Sequence, residues 1–219
     1  MDSQDQYKIV KESGYGEYKE KGSKFLAYAL PFKSESELLN CIEQIKKLHP
    51  KSRHFCYAYR LGKDGKVFRT NDDGEPSGTA GKPILGQIVK ENLSDAIVIV
   101  ARHFGGTKLG ASGLIHAYKS AAKESLKTAT IDIQKITSDY KLIFDYAQMG
   151  KIMEIVKKNQ LEIGSKEFEE SPSIILNLPK SEALRIIRSL KAQLLNVSED
   201  HVFEDTKVEF CKFINLTDA

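Results

Sequence analysis

The chain has 219 residues, 41% of them hydrophobic, and a formal net charge of +3. That length suits one large or two ordinary domains with a real core, and the charge is lower than a dedicated nucleic-acid-binding domain usually carries. No run approaches the roughly 18 apolar residues of a membrane span, and the opening Met1-Asp2-Ser3-Gln4-Asp5-Gln6 is acidic and polar, unlike a signal peptide. Cys41, Cys56 and Cys211 are odd in number, far apart and without metal-ligand spacing, so neither a disulfide scaffold nor a metal site is expected. The expectation is a soluble, cytoplasmic protein with no membrane partner and no cofactor.

Residues 18–32 read as a strand, with Phe25, Ala27 and Ala29 alternating against Lys24, Leu26 and Tyr28. Ser34 and Glu37 form a capping-box pattern. The helix it opens carries Leu38, Leu39, Ile42, Ile45 and Leu48 at helical spacing and stops at Pro50. Arg53–Leu61 is a second strand, Lys63-Asp64-Gly65-Lys66 a turn, and Val67–Thr70 a third strand. A glycine-rich loop, Asn71–Gly81, follows. Pro83 then suits the first turn of a helix whose apolar face is Ile84, Leu85, Ile88 and Val89.

Asp95–Ala101 holds the unbroken run Ala-Ile-Val-Ile-Val-Ala, which predicts a central strand covered on both faces. A second glycine-rich loop, Gly105–Gly113, leads into a helix over roughly Ala111–Ala129. Its expected buried side is Leu114, Ile115, Tyr118, Ala122 and Leu126. After Thr130 the pattern restarts: strands at 135–145, 161–169, 173–178 and 202–214, with helices at 147–158 and 181–194. That order is βαββαβ, the split-βαβ or ferredoxin-like plan. The expected class is therefore α+β in two domains, 1–133 and 134–219.

Seven of the 15 glycines sit in the two loops. Glycine gives up the most conformational freedom on ordering, so such density marks sharp bends or close approach to the backbone. In the second loop, Gly105 and Gly106 permit a tight exit from the central strand. Lys108 supplies a cation, and Gly110 and Gly113 clear space around the start of a helix. A helix N-terminus offers unpaired N–H groups and partial positive charge to an anion. Helix–sheet packing would need the same glycines.

Lys119, Lys123 and Lys127 continue a basic stripe along that helix at i, i+4 and i+8. Arg102 ends the central strand. The candidate anion-binding set is Arg102, Gly105, Gly106, Lys108, Gly110, Ser112, Gly113 and Lys119. The charge asymmetry agrees: residues 1–135 carry a net +6 and the remainder −3. Arg185 and Arg188, with Lys180 and Lys191, make a weaker second patch.

The first loop places Asp72, Asp73 and Glu75 within four residues. They could hold a divalent cation, pair with Arg69 or Arg102, or form Asx-turns. Ser77 and Thr79 could bond the backbone or a ligand. These five form the opposite wall of a groove between the loops.

Nucleotide motifs fail when read literally: Pro76 and Pro83 occupy the glycine and Ser/Thr positions that a P-loop around Gly81-Lys82 needs, and no G-x-G-x-x-G is present. Cys56 and His54 share a strand face, but nothing around Cys56 marks a nucleophile, and buried packing is the ordinary fate of a free cysteine. Ser112 and His116 lie one helical turn apart without a third, orienting group. No catalytic residue is assigned.

The segments Asp72–Pro83 and Arg102–Gly110 resemble the signature of the Impact/YigZ family, supported by Lys24-Phe25-Leu26-Ala27 and His54–Arg60. The resemblance covers most of 15–128. It implies a ribosomal-protein-type N-terminal domain, a four-stranded sheet with helices on one face. It also implies a ferredoxin-like C-terminal domain similar to one in translation elongation factor G. The family's eukaryotic members regulate translation by binding the activator of an initiation-factor kinase through an extra domain, which is not expected in this chain. Two departures stand out: Ser112-Gly113 where many members have Gly-Gly, and His116 where many have arginine.

Three functions are compatible with these residues. The first is a translation-associated regulator holding RNA or ribosomal phosphate between the two loops. The second is an enzyme acting on a small phosphorylated substrate, with Asp72 or Asp73 as metal ligand or base. The third is an adaptor for a translation-related protein partner.

Overall fold

The computed structural model describes residues 5–168 and 171–217. Strands are β1 (Gln6–Glu12), β2 (Gly14–Glu20), β3 (Ser23–Pro31), β4 (His54–Leu61), β5 (Val67–Asn71), β6 (Leu93–Ser94), β7 (Ala96–His103), β8 (Thr130–Lys135), β9 (Thr137–Phe144), β10 (Ile163–Glu167), β11 (Ser173–Pro179) and β12 (Cys211–Asn215). Helices are α1 (Leu38–Leu48), α2 (Gly81–Lys90), α3 (Gly110–Thr128), α4 (Met149–Lys158) and α5 (Ala183–Leu195). The chain divides into two compact units, one of Tyr7–Gln134 and one joining Met1–Gln6 to Lys135–Ala219. The α+β class is as the sequence predicts.

In the Tyr7–Gln134 unit the sheet order is β2-β3-β7-β4-β5, with every neighbouring pair antiparallel. The apolar run of β7 lies at the middle, fully buried from Ala96 to Ala101. Its side chains alternate: Ala96, Val98 and Val100 join α2 and α3, whereas Ile97, Ile99 and Ala101 join Cys41 and Ile45 of α1.

Two features correct the expected four-stranded sheet with helices on one face. Helices cover both faces, because β7 is apolar at every position and each face needs a partner. The fifth strand, β2, arises because residues 18–32 are not one strand but a hairpin. Lys21 (φ 45°) and Gly22 (φ 78°) take the left-handed region that a two-residue hairpin turn requires. A smaller sheet, β6-β1-β8, completes this unit.

Helix faces also differ in detail from the periodicity. Leu39 and Leu48 of α1, Val89 of α2 and Ile115 of α3 are exposed. The buried side of α3 includes Ala117 and Ala121 as well as Leu114, Tyr118, Ala122 and Leu126. Small residues there let the helix lie close to the sheet.

The second unit has sheet order β10-β11-β9-β12, all antiparallel. With α4 and α5 between strands, this is the βαββαβ plan. Its core joins Leu142 and Phe144 of β9, Ile174 and Leu176 of β11, Ile152 of α4 and Leu190 of α5. The strand expected at 161–169 is Ile163–Glu167, and Glu169 lies outside the described residues. The last strand starts only at Cys211, because Glu199–His201 is a 3-10 turn. No helix among the described residues is long and apolar enough to cross a membrane.

Candidate functional site

The first glycine loop is stapled shut by its own carboxylates. Asp72 accepts from the backbone N–H groups of Gly78 (2.8 Å), Gly81 (2.8 Å) and Ala80 (3.0 Å). Two of those donors open α2, whose preceding residue Ala80 has no capping side chain, so Asp72 caps the helix from eight or nine residues upstream. Burial alone would push the Asp72 carboxyl up. The three N–H groups and Lys82 outweigh it and hold the group below the ordinary carboxylate value.

Asp73 accepts from Phe55 N–H at 2.6 Å, and its carbonyl lies 2.8 Å from His54 Nδ1. Thr79 is buried and donates to the Pro76 carbonyl at 2.7 Å; Ser77 is exposed. Asp72 and Asp73 are thereby spent on the backbone. Among the described residues no group of three or more His, Cys, Asp or Glu is gathered to hold a metal.

Glu75 turns inward. Its Oε1 lies 2.6 Å from Arg102 Nη1, and the two side chains are only 4% and 7% exposed. The Tyr118 hydroxyl of α3 donates to the same oxygen at 2.8 Å. The Cys56 thiol lies 3.3 Å from that hydroxyl and 3.0 Å from the Asp72 carbonyl.

A buried chain of polar groups therefore joins the first loop, β4, β7 and α3. The Arg102 guanidinium is further held between the Phe25 and Phe104 rings, at 5.4 and 5.5 Å. Burial pushes both the Cys56 thiol and the Tyr118 hydroxyl well up, so Cys56 stays a packed thiol. The parity of β7 accounts for Arg102. Val98 and Val100 face the α2–α3 side, and the same alternation turns residue 102 to that side.

The second loop is open. Thr107, Lys108, Gly110, Ala111 and Ser112 are exposed. α3 starts without a capping side chain, and Gly110 sits at φ 71° with no atom near where a Cβ would stand. Gly105 is different: its N–H bonds Ser23 Oγ at 3.1 Å, and a Cβ there would fall 1.9 Å from the Gly22 carbonyl carbon. The β2–β3 turn and the second loop therefore touch through backbone.

Lys108, Lys119 and Lys123 are exposed and, among the described residues, make no ion pair, while Lys127 is bound to Glu124 at 2.6 Å. Ser112 and His116 are both exposed, and the His116 ring packs edge-on to Tyr18 with centroids 5.6 Å apart. Of the sequence candidates, Arg102 and Glu75 meet in the interior. Gly105, Gly106, Lys108, Gly110, Ser112 and Gly113 share one surface loop and the helix start behind it.

The Impact N-terminal domain matches residues 21–126. The IMPACT family member YvyE of Bacillus subtilis (strain 168) is 36% identical over 165 residues, covering 75% of this chain and 76% of YvyE. The IMPACT family member YigZ of Escherichia coli (strain K12) is 28% identical over 166 residues, 72% of this chain and 81% of YigZ. A crystal structure of a protein described only as hypothetical has the same fold, with TM-score 0.61 and 24% identity over 92% of this chain and 99% of its own.

Proposed function

This chain belongs to the IMPACT family, and from that membership we propose that it is a translation-associated binding module that holds the phosphate backbone of RNA on its second glycine loop. The observation that carries the reading is the contrast between the two loops. The acidic loop has no carboxylate to spare, whereas the second presents an uncapped start of a 19-residue helix with Lys108 unpaired beside it. Such a helix start supplies N–H donors and partial positive charge, and Lys119 and Lys123 extend it as a stripe.

Arg102 belongs to the support: its guanidinium is committed to Glu75 and two aromatic rings. The reading places the protein in the cytoplasm among the translation machinery, in line with the family's translational members.

The test is a salt titration of binding to a labelled single-stranded RNA. Each single-strand phosphate contact contributes about −0.7 to the slope of log K against log salt. Affinity is expected to fall steeply with salt, and Lys108→Ala should weaken binding and flatten that slope by about 0.7. Absence of binding at low salt, or a salt-independent affinity, overturns the proposal.

A further inference from the structure

The opposite face of the same sheet carries a second cationic feature. Across β2, β3 and β7 the register places Tyr15 beside Tyr28, Glu17 beside Leu26, and Lys24 beside His103, all on the face that α1 covers only in part. His49, just after α1, reaches down to that face. Its Nε2 lies 2.7 Å from the Tyr28 hydroxyl, and its ring meets His103 edge-on with centroids 5.7 Å apart. Tyr15 and Tyr28 continue the aromatic row at 5.2 Å.

Two cavities, of about 300 and 360 Å³, lie on either side of this histidine contact. Glu17, Gly22, Lys24, Leu26 and His103 line the first. Lys46, His49, Arg53 and Phe55 are among those that line the second. Leu26 and Phe55 flank Ala101 on neighbouring strands, so the two cavities lie side by side across β7, as one trough interrupted by the His49–His103 contact.

Its charge is one-sided. Glu17 is taken by Lys19 at 2.8 Å and Asp73 by the Phe55 N–H. Lys24, Lys46 and Arg53, in contrast, make no ion pair among the described residues. Half-buried and exposed rings in a row, bordered by cations that make no ion pair, are what a flexible polyanion of flat rings requires. Bases stack on the aromatic groups, and the backbone follows the cations. Gly22, on the rim of the first cavity, abuts Gly105 of the second glycine loop, so a strand leaving the trough arrives at that loop.

We infer that the trough between α1 and the β2–β3–β7 face is a binding site for single-stranded nucleic acid, with His103 and His49 as the stacking pair and Lys24, Lys46 and Arg53 as backbone contacts. The inference rests on the RNA-binding reading of the second loop and assigns the bases a place beside it.

The experiment is fluorescence anisotropy of labelled decauridylate with the full chain, at low and moderate salt. It is paired with NMR of the histidine ring signals. Lys24→Ala with Lys46→Ala should flatten the salt slope by about 1.4. His103→Ala should weaken binding about fivefold or more, with His103→Phe restoring most of it. The His49 and His103 ring signals should shift on addition of the oligonucleotide to the unmodified protein, a readout that needs no variant to fold.

Silence of the trough variants and of both ring signals, with Lys108→Ala still weakening binding, overturns the trough and leaves the loop. Sensitivity at the trough with no effect of Lys108→Ala supports the trough and overturns the loop. Uridine monophosphate binding as tightly as the oligonucleotide overturns the strand-binding site in favour of a small-anion site. No binding at low salt removes both.

Discussion

Replacing Glu75 tests whether the buried polar chain holds the two glycine loops in place. Glu75→Ala strands the Arg102 guanidinium, whose side chain is 7% exposed, and leaves the Tyr118 hydroxyl without its acceptor. Breaking a buried pair by removing one partner costs about 3–5 kcal/mol. Glu75→Gln keeps the shape and removes only the charge, so it should fall in the same range. Tyr118→Phe removes one hydroxyl while Glu75 keeps Arg102, and should cost about 1 kcal/mol.

The double change Glu75→Leu with Arg102→Met replaces both charges by apolar groups of similar volume and should recover most of the loss. Urea unfolding followed by far-ultraviolet circular dichroism measures these values; the chain has no tryptophan to report by fluorescence. A cost below about 1 kcal/mol for Glu75→Ala, or a double variant no more stable than the single one, would refute the claim that charge pairing in the interior fixes the loops.

Two further outcomes follow from the loop geometry. Because Asp72 has its carboxyl lowered in the folded chain, the unfolded chain binds more protons in acid. Its stabilisation is complete above the ordinary value of 3.8 and is lost as pH falls through the lower folded value. Asp72→Asn should therefore be less stable than the parent at pH 6, by about 2 kcal/mol for the lost charge-assisted bonds, and the gap should narrow as the pH falls below 3.8; a gap that stays constant on acidification would contradict the assignment. Gly105→Ala forces a methyl into the Gly22–Ser23 backbone and should cost about 1–3 kcal/mol, read as a lower thermal midpoint; an unchanged midpoint would show that the close approach is not required.

The parts that could be read from sequence were those whose cause is local. The β-branched run announced β7, and Pro83 and the glycines announced where α2 and α3 begin. The β2–β3 hairpin was hidden because its turn is Lys21-Gly22, a dipeptide far weaker as a signal than Asp-Gly. β1 and β8 were not expected, since they are largely polar and lie together in a small sheet.

In the site, the acidic loop was visible but its partners were not. Glu75 finds Arg102 across 27 residues and Tyr118 across 43, distances at which only the tertiary fold decides who meets whom. The inward turn of Arg102 was recoverable from strand parity alone. Cys56, placed correctly as packing, also serves as a donor at the end of the polar chain.

The second compact unit is assembled from the two ends of the chain. Ser181, at the approach to α5, donates to the Asp5 carboxylate through its backbone N–H at 2.8 Å and through its hydroxyl, and Ile136 N–H bonds the Asp5 carbonyl at 2.7 Å. During synthesis, Asp5 emerges 176 residues before Ser181 and has to wait for it before its place exists. A fragment cut at the apparent boundary near 134 would leave Asp5 on the wrong piece. A faithful excision of this unit has to carry Asp5 along with the segment from Lys135 onward.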